Sequence, residues 1–214
     1  MAAAREDFVL TLHGMTGSGN CYKPALLMRQ LGVPFQWIEV STLKGETRTP
    51  AFLARNPNGK VPLLEISDHG ETRTLAESNA MLCYLAEGTH LLPDDRWPRA
   101  LVLQWLFFEQ YSHEPYIATV RWWVKYLDKR IEWQDRIAEA MKKGYAALGV
   151  MERQLAQSPF LAGARYTVAD IALYAYTHVA HEGGYSLDAL PAVRAWLARV
   201  EREPGFAPMD AAAR

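Results

Sequence analysis

The chain has 214 residues, half of them apolar, and a formal net charge of −1. This length is enough for one large or two small domains with a sizeable buried core. The near-neutral charge argues against a nucleic-acid-binding protein, because such proteins usually carry a clear basic excess.

The cysteine content and the absence of long apolar runs favour a reduced, non-membrane environment. Cys21 and Cys83 are too few and too far apart in sequence for a disulfide framework or a metal site. The first seven residues lack an apolar core flanked by basic residues, and no run of about 20 apolar residues occurs. We therefore expect a cytoplasmic protein with no metal and no membrane partner.

The first predicted elements are a strand, a polar loop and a helix. The run 8–12 is typical of a buried strand, and the segment 23–31, closed by Gly32, is typical of a helix. Proline lacks an N–H and is tolerated only in a first helical turn. Pro24 therefore predicts that the helix begins no earlier than Tyr22 or Lys23.

The loop before this helix contains Ser18-Gly19-Asn20-Cys21. It lies where a helix N-terminus presents backbone N–H groups and a partial positive charge, which stabilise an anion or a thiolate. Serine and asparagine are also ordinary turn and cap residues. The residues of the loop thus allow either a structural cap or a binding site.

The remaining elements of the N-terminal half complete a small mixed sheet. Alternation over 35–40 predicts a second strand, and a short helix is expected in the loop that follows. The runs 61–66 and 72–75, joined by a polar turn, predict an antiparallel hairpin, followed by a helix over 78–87. The order β-α-β then β-β-α predicts a thioredoxin-like α/β domain over 7–87.

The C-terminal half is predicted to be all-helical. A proline-rich polar connector, residues 88–98, is the expected domain boundary. The pattern beyond it is helical throughout, so we expect an all-α domain over 98–210. Its predicted helices span 99–127, 131–156, 167–182 and 190–203. Thr167 and Asp170 are spaced as a capping box at the third of these helices.

Four features in this order resemble the cytosolic glutathione S-transferase superfamily, over residues 8–208. They are the strand, loop and helix around Ser18, the segment Asn56-Pro57-Asn58-Gly59-Lys60-Val61-Pro62-Leu63-Leu64, the helix start Ala76-Glu77-Ser78-Asn79-Ala80, and the cap at Thr167. The serine-containing loop is similar to that of theta, zeta and Nu-type bacterial members. The resemblance implies glutathione as co-substrate.

The resemblance also implies how glutathione would be held. In the family the proline matching Pro62 is cis, and the residue matching Val61 pairs its backbone with the cysteinyl part of glutathione. Glu77 would pair the γ-glutamyl ammonium, while Ser78 and the helix N-terminus would bind its carboxylate. Lys60 is the favoured contact for the glycine carboxylate. The other candidates in neighbouring loops are Lys44, Thr47 and Arg48.

The predicted catalytic residues are Ser18, Asn20 and Cys21. Ser18 falls where related transferases carry a serine that donates to the glutathione thiolate, and Asn20 offers a second donor, as in Nu-type members. Cys21 completes an S-x-x-C frame that cannot form the vicinal disulfide of a C-x-x-C motif. A packing role is the alternative for Cys21, and the phenol of Tyr22 is a lesser candidate.

The electrophile pocket and the subunit contacts are predicted from aromatic residues. Tyr111 and His113, in an aromatic run of the first helix of the second domain, are the expected wall for the electrophile, while most neighbouring aromatics are core. Family members are homodimers, so the resemblance implies a homodimer. Phe52 either inserts into the partner or folds back onto its own sheet.

The resemblance implies a glutathione S-transferase, an enzyme of detoxification that activates the thiol for attack on a small hydrophobic electrophile. Two alternatives remain open on the sequence. One is a Nu-like glutathione-dependent disulfide or peroxide reductase, and the other is a non-enzymatic interaction protein with the same fold. Glu77, Ser78, Val61 and Pro62 favour ligand binding over the last. Isomerisation of a zeta-type substrate also remains open, and the residues do not identify the second substrate.

Overall fold

The computed structural model describes residues 8–213, so the predicted start of the first domain at residue 7 lies outside the described part. The chain divides into two compact units. The first runs to Glu87 and also takes in the C-terminal segment from Pro204, while the second runs from Gly88 to Glu203.

These boundaries differ from the predicted second domain, 98–210. The connector belongs to the second unit, where Leu91 is buried and accepts a hydrogen bond at its carbonyl from the N–H of Val168. The C-terminal segment belongs to the first unit, because the hydroxyl of Tyr22 donates to the carbonyl of Ala207 at 2.7 Å. Gly205 comes so close to α1 (Gly19–Gln30) that an added Cβ would lie 2.7 Å from a backbone carbon of that helix.

The first unit has the predicted thioredoxin-like arrangement. Its strands are β1 (Val9–Gly14), β2 (Gln36–Glu39), β3 (Leu63–Asp68) and β4 (Glu71–Leu75), and its other helices are α2 (Pro50–Arg55) and α3 (Ser78–Ala86). The sheet order is β2-β1-β3-β4, with β1 parallel to β2 and antiparallel to β3, and β3 antiparallel to β4. Buried leucines lie opposite each other in this register, as Leu12 does to Leu64, and α1 packs against α3.

The predicted start of α1 is wrong. The helix begins at Gly19, because Ser18 acts as its N-cap and accepts a hydrogen bond at its hydroxyl from the N–H of Cys21 at 3.4 Å. Pro24 therefore lies inside the helix rather than in its first turn. There it removes the N–H that would otherwise bond to the carbonyl of Asn20.

The second unit is helical, as predicted. Its α-helices are α4 (Arg96–Phe108), α5 (Glu114–Arg121), α6 (Gln134–Leu155), α7 (Val168–Thr177) and α8 (Pro191–Val200). The single helix predicted over 99–127 is interrupted by two π-helical segments, Glu109–His113 and Trp122–Tyr126. Within residues 8–213, no helix combines the length and the apolar character needed to cross a membrane.

The buried carboxylate of Asp170 holds the second unit together around the start of α7. The predicted capping box is present, with Thr167 as the N-cap. One Asp170 oxygen accepts from the N–H of Leu161 and from the indole N–H of Trp196, both at 2.9 Å, and the other accepts from the N–H of Thr167 at 3.0 Å. Burial raises the pKa of Asp170 to about 6, although these donors favour the charged form.

We expect Asp170→Ala to destabilise the second unit strongly, because three buried N–H groups lose their acceptor. Each unsatisfied buried donor costs about 1–3 kcal/mol, so the total loss should reach about 3 kcal/mol or more. The urea midpoint, followed by tryptophan fluorescence, measures it. Asp188→Ala is the matched control, since Asp188 is exposed and bonds only locally to Ser186. Equal midpoints for the two variants would contradict this role of Asp170.

Candidate functional site

The loop before α1 is fixed by hydrogen bonds to the end of β2. The backbone N–H and the hydroxyl of Thr16 donate to the carboxylate of Glu39 at 2.9 and 2.8 Å, and the indole of Trp37 donates to the same carboxylate. The N–H of Ser18 donates to the carbonyl of Met15 at 3.0 Å. Ser18 is thus held half-buried at the N-terminus of α1, with a hydroxyl that accepts from the helix and carries its own proton.

The structure does not support the predicted catalytic role of Cys21. Its side chain is fully buried, and its sulfur accepts a hydrogen bond from the N–H of Met15. Burial raises the pKa of the thiol to about 11, although the hydrogen bond with Ser18 opposes the shift. Because the thiolate is the nucleophilic form, this raised pKa argues against a nucleophilic Cys21 and favours the packing alternative. Tyr22 is not a thiolate donor either, because its buried hydroxyl donates to the carbonyl of Ala207.

A second helix N-terminus lies beside the first. Ser78 begins α3 and is buried, whereas Glu77, the residue before it, is exposed. Glu77 has a φ of 66°, in the left-handed region that side chains rarely adopt. Its carboxylate does not cap α3. Backbone strain of this kind concentrates at functional sites, where the surrounding fold imposes it.

Hydrogen bonds join these two helix N-termini. The hydroxyl of Ser78 donates to the amide oxygen of Asn20 at 3.4 Å. The ammonium of Lys23 donates to the hydroxyl of Ser78 and to the amide oxygen of Asn79, both at 3.3 Å. The structure therefore brings together Asn20 of the thiol loop and Ser78 of the γ-glutamyl site, which were predicted separately.

Sequence reasoning missed Lys23 as a site residue. Its side chain is fully buried although it ends in an ammonium group. A signal was available, because Lys23 is the only charged residue in the otherwise apolar or small stretch 19–28. Lysine is almost never fully buried unless its ammonium is paired. A lone lysine in a buried helix face therefore indicates a specific polar contact, here with α3.

The segment before β3 has the backbone that the resemblance implies. The Val61–Pro62 peptide bond is cis. The buried side chain of Asn56 shapes this segment, since its amide donates to the carbonyl of Lys60 at 2.8 Å and accepts from the N–H of Asn58 at 3.2 Å. The Lys60 side chain is exposed to solvent.

The candidates for the glycine carboxylate separate by burial. Arg48 lies against the same segment, because its guanidinium donates to the carbonyl of Asn58 at 3.2 Å. Lys44 is exposed, while Thr47 is buried and presents little surface to a ligand. Phe52 is buried against Val40 and Leu63 of its own unit. Of the two alternatives for Phe52, the structure therefore shows the one in which it folds back onto its own sheet.

The structure does not bring the predicted electrophile residues together. Tyr111 is 85% exposed, whereas His113 is fully buried, with its ring nitrogen 2.9 Å from the hydroxyl oxygen of Thr177. Residues two apart on a helix point to different sides, which explains the separation. The full burial of His113 argues against its predicted place in an electrophile wall, and its contact with α7 fits a structural role.

The assembled groups are hydrogen-bond donors and positive charge rather than nucleophiles. Two helix N-termini, the hydroxyl of Ser18 and the ammonium of Lys23 all favour bound anions. Across residues 8–213, the His, Cys, Asp and Glu side chains form no group of three that could hold a metal ion. The donors and the positive charge suit a site that stabilises the anionic form of a bound ligand.

Comparisons with known proteins identify both units. Family models for the N-terminal and C-terminal domains of glutathione S-transferases match residues 17–87 and 132–199. The chain is 30% identical to the disulfide-bond oxidoreductase YfcG of Escherichia coli, over 86% of this chain and 87% of that protein.

Two solved structures extend this likeness to three dimensions. A glutathione S-transferase from Pseudomonas fluorescens Pf-5 is 49% identical, with a TM-score of 0.90 over 94% of this chain and 98% of the other. A second transferase family member from Pseudomonas fluorescens Pf-5, with two bound glutathione molecules, is 26% identical. Its TM-score is 0.82, over 95% of this chain and 92% of that one.

We expect Cys21 to resist alkylation in the folded protein. At mildly alkaline pH, the thiolate fraction of a thiol with a pKa near 11 is at least about 100-fold lower than that of an ordinary cysteine. Cys83, which is partly exposed, should react with iodoacetamide first. Peptide mass spectrometry over time measures both rates, and the urea-denatured protein, in which the two should react alike, is the control. Fast labelling of native Cys21 would restore it as a catalytic candidate.

Proposed function

The chain belongs to the glutathione S-transferase superfamily, and from this premise we propose that it binds glutathione and ionises the glutathione thiol at Ser18. The observation that carries the proposal is the pair of hydrogen bonds that joins the N-termini of α1 and α3 through Ser78. A peptide that carries both a thiol and a carboxylate can then bind one anion at each helix N-terminus. The glutathione-bound relative supports the same ligand.

The thiol of glutathione would be activated by donors at α1. The hydroxyl of Ser18 donates to the sulfur and favours the thiolate, and Asn20, in the first turn of α1, offers a second donor. The helix N-terminus adds its partial positive charge, and the thiol proton leaves to solvent. We assign Cys21 no part in this step, because burial raises the pKa of its thiol to about 11.

The rest of the peptide would be held by backbone and charge. Val61 would pair its N–H and C=O with the cysteinyl residue, in the manner of an added strand. Glu77 would pair the γ-glutamyl ammonium, and Ser78 with the N–H groups of α3 would bind the α-carboxylate. Lys60 and the neighbouring Arg48 are the proposed contacts of the glycine carboxylate.

The proposed reaction attaches glutathione, through its sulfur, to a small hydrophobic electrophile, as expected of a cytoplasmic detoxifying enzyme. The thiolate forms a carbon–sulfur bond, and the electrons of the broken bond leave with the displaced group. Tyr111 remains the proposed contact for the electrophile, because it is exposed.

The similarity to YfcG favours a second reaction, the reduction of disulfides. The same thiolate would attack a disulfide sulfur, and one thiolate of the substrate would leave. A second glutathione would then release the first as oxidised glutathione, so that two glutathione molecules reduce one disulfide to two thiols.

A homodimer is the proposed assembly. On α4, exposed positions recur at 97, 100, 104 and 107, which places them on one side of the helix. Trp97 and Phe107 on that side are 73% and 72% exposed. Large apolar side chains exposed along one helix face mark a protein contact surface. Because members of the superfamily are homodimers, a second copy of the chain is the proposed occupant.

We expect Ser18→Ala to raise the thiol pKa of bound glutathione by about 1 to 2 units, because a hydrogen bond to a charged group contributes about 1.5–3 kcal/mol. Ultraviolet thiolate absorbance across pH, with calorimetry of binding, measures the shift. Ser67→Ala on β3 is the matched control. An unchanged pKa would move activation to Asn20, and a wild-type protein that does not bind glutathione would favour the interaction-protein alternative.

Assays with a chloronitrobenzene and with a small disulfide separate the two reactions. Turnover of the first, lost in Ser18→Ala, supports the transferase. Turnover of the disulfide alone supports the reductase and removes the carbon electrophile from the proposal.

We expect Phe107→Asp to shift the protein from dimer to monomer, because it buries a charge in the proposed contact surface. Light scattering after gel filtration measures the mass at several concentrations. Ile131→Asp is the control, since Ile131 is 88% exposed and lies outside α4. A monomeric wild-type protein, or a dimeric variant, would contradict this interface.

A further inference from the structure

The proposed glutathione site contains a buried lysine to which the resemblance assigns no role. We propose that Lys23 is a positioning residue that makes the site selective for peptides bearing an α-carboxylate at the γ-glutamyl end. Lys23 would act through Ser78, and this inference rests on the proposed function. Lys23 is fully buried, and its ammonium lies between α1 and α3.

The chemistry of the groups fixes the direction of their hydrogen bonds. An ammonium only donates, so the hydroxyl oxygen of Ser78 must accept from Lys23. The hydroxyl proton of Ser78 is then directed away from Lys23, and it reaches the amide oxygen of Asn20. An amide oxygen only accepts, so the NH₂ group of Asn20 is turned away from Ser78.

When a ligand binds, the single hydroxyl proton of Ser78 would turn from Asn20 to the ligand carboxylate, while the hydroxyl oxygen continues to accept from Lys23. A carboxylate oxygen at hydrogen-bond distance from the Ser78 hydroxyl would lie at most about 6 Å from the ammonium of Lys23. Opposite charges this close attract strongly when the site excludes water, and the ammonium also polarises the Ser78 hydroxyl. Lys23 therefore favours an anion at Ser78 without needing to touch it.

The γ-glutamyl group carries two charges that different residues of the site would recognise. Lys23, through Ser78, would favour the α-carboxylate, whereas Glu77 would favour the ammonium. Removing one charge of the ligand should therefore expose the contribution of one residue. A purely structural role for Lys23 would instead change the binding of all ligands alike.

Two thiol peptides separate these contributions. Glutaryl-cysteinylglycine keeps the carboxylate and lacks the ammonium, while 4-aminobutyryl-cysteinylglycine keeps the ammonium and lacks the carboxylate. Calorimetry gives the dissociation constant of each, and the measured quantity is the preference for the carboxylate-bearing peptide. We expect Lys23→Met to reduce this preference by about 10- to 100-fold, the range for loss of a charge-assisted interaction.

Matched variants test whether the effect belongs to this lysine. Lys142→Met, at an exposed lysine of the second unit, should leave the preference unchanged. Glu77→Gln should increase the preference for the carboxylate-bearing peptide, because it weakens binding of the ammonium-bearing peptide. If Lys23→Met does not fold, as judged by circular dichroism, Lys23→Gln keeps a donor without the charge and should lose most of the preference.

The outcomes distinguish this inference from the proposed function. A wild-type protein that does not bind glutathione overturns both. Wild-type binding of glutathione, with the same preference between the two peptides in the wild-type protein and in Lys23→Met, overturns the role of Lys23 alone. An equal loss of affinity for both peptides in Lys23→Met also overturns it, because that result shows a structural effect.

Discussion

The site depends on one constraint, the close approach of the N-termini of α1 and α3. Both ends carry partial positive charge, so their approach is unfavourable unless polar groups or anions lie between them. Ser78 meets this need because its hydroxyl accepts from Lys23 and donates to Asn20. The resulting region favours negatively charged ligands, and the mixed sheet beneath it supplies the rigid support.

The positions of Ser18 and Cys21 at the start of α1 explain why the site offers a hydroxyl donor rather than a reactive thiol. Cysteine at position 21 lies within the helix on its buried side, where desolvation keeps its thiol protonated. Serine at position 18 lies at the cap, where a hydroxyl can serve the helix and a ligand at once. One fold can host several reactions, so the fold alone does not decide the chemistry.

Local patterns in the sequence predicted most of the fold, because alternation in strands and periodicity in helices follow from which faces are buried. These patterns failed where contacts between residues far apart in sequence determine the structure. The rule that places proline in a first turn shifted the start of α1, since it ignored the cap that Ser18 provides. The resemblance located Ser78, but Lys23 and the burial of His113 follow from packing against α3 and α7, which spacing along the chain does not show.

The C-terminal segment gives the chain an order of assembly. Tyr22 and Arg29 of α1 donate to the carbonyls of Ala207 and Ala212, residues that follow the whole second unit in sequence. The N-terminal part of a chain leaves the ribosome first, so α1 and the sheet emerge well before these carbonyls. The thioredoxin-like unit is therefore the first to emerge, but it is complete only when the segment from Pro204 has also been made. A fragment that stops at Glu87 lacks this segment and its hydrogen bonds to α1.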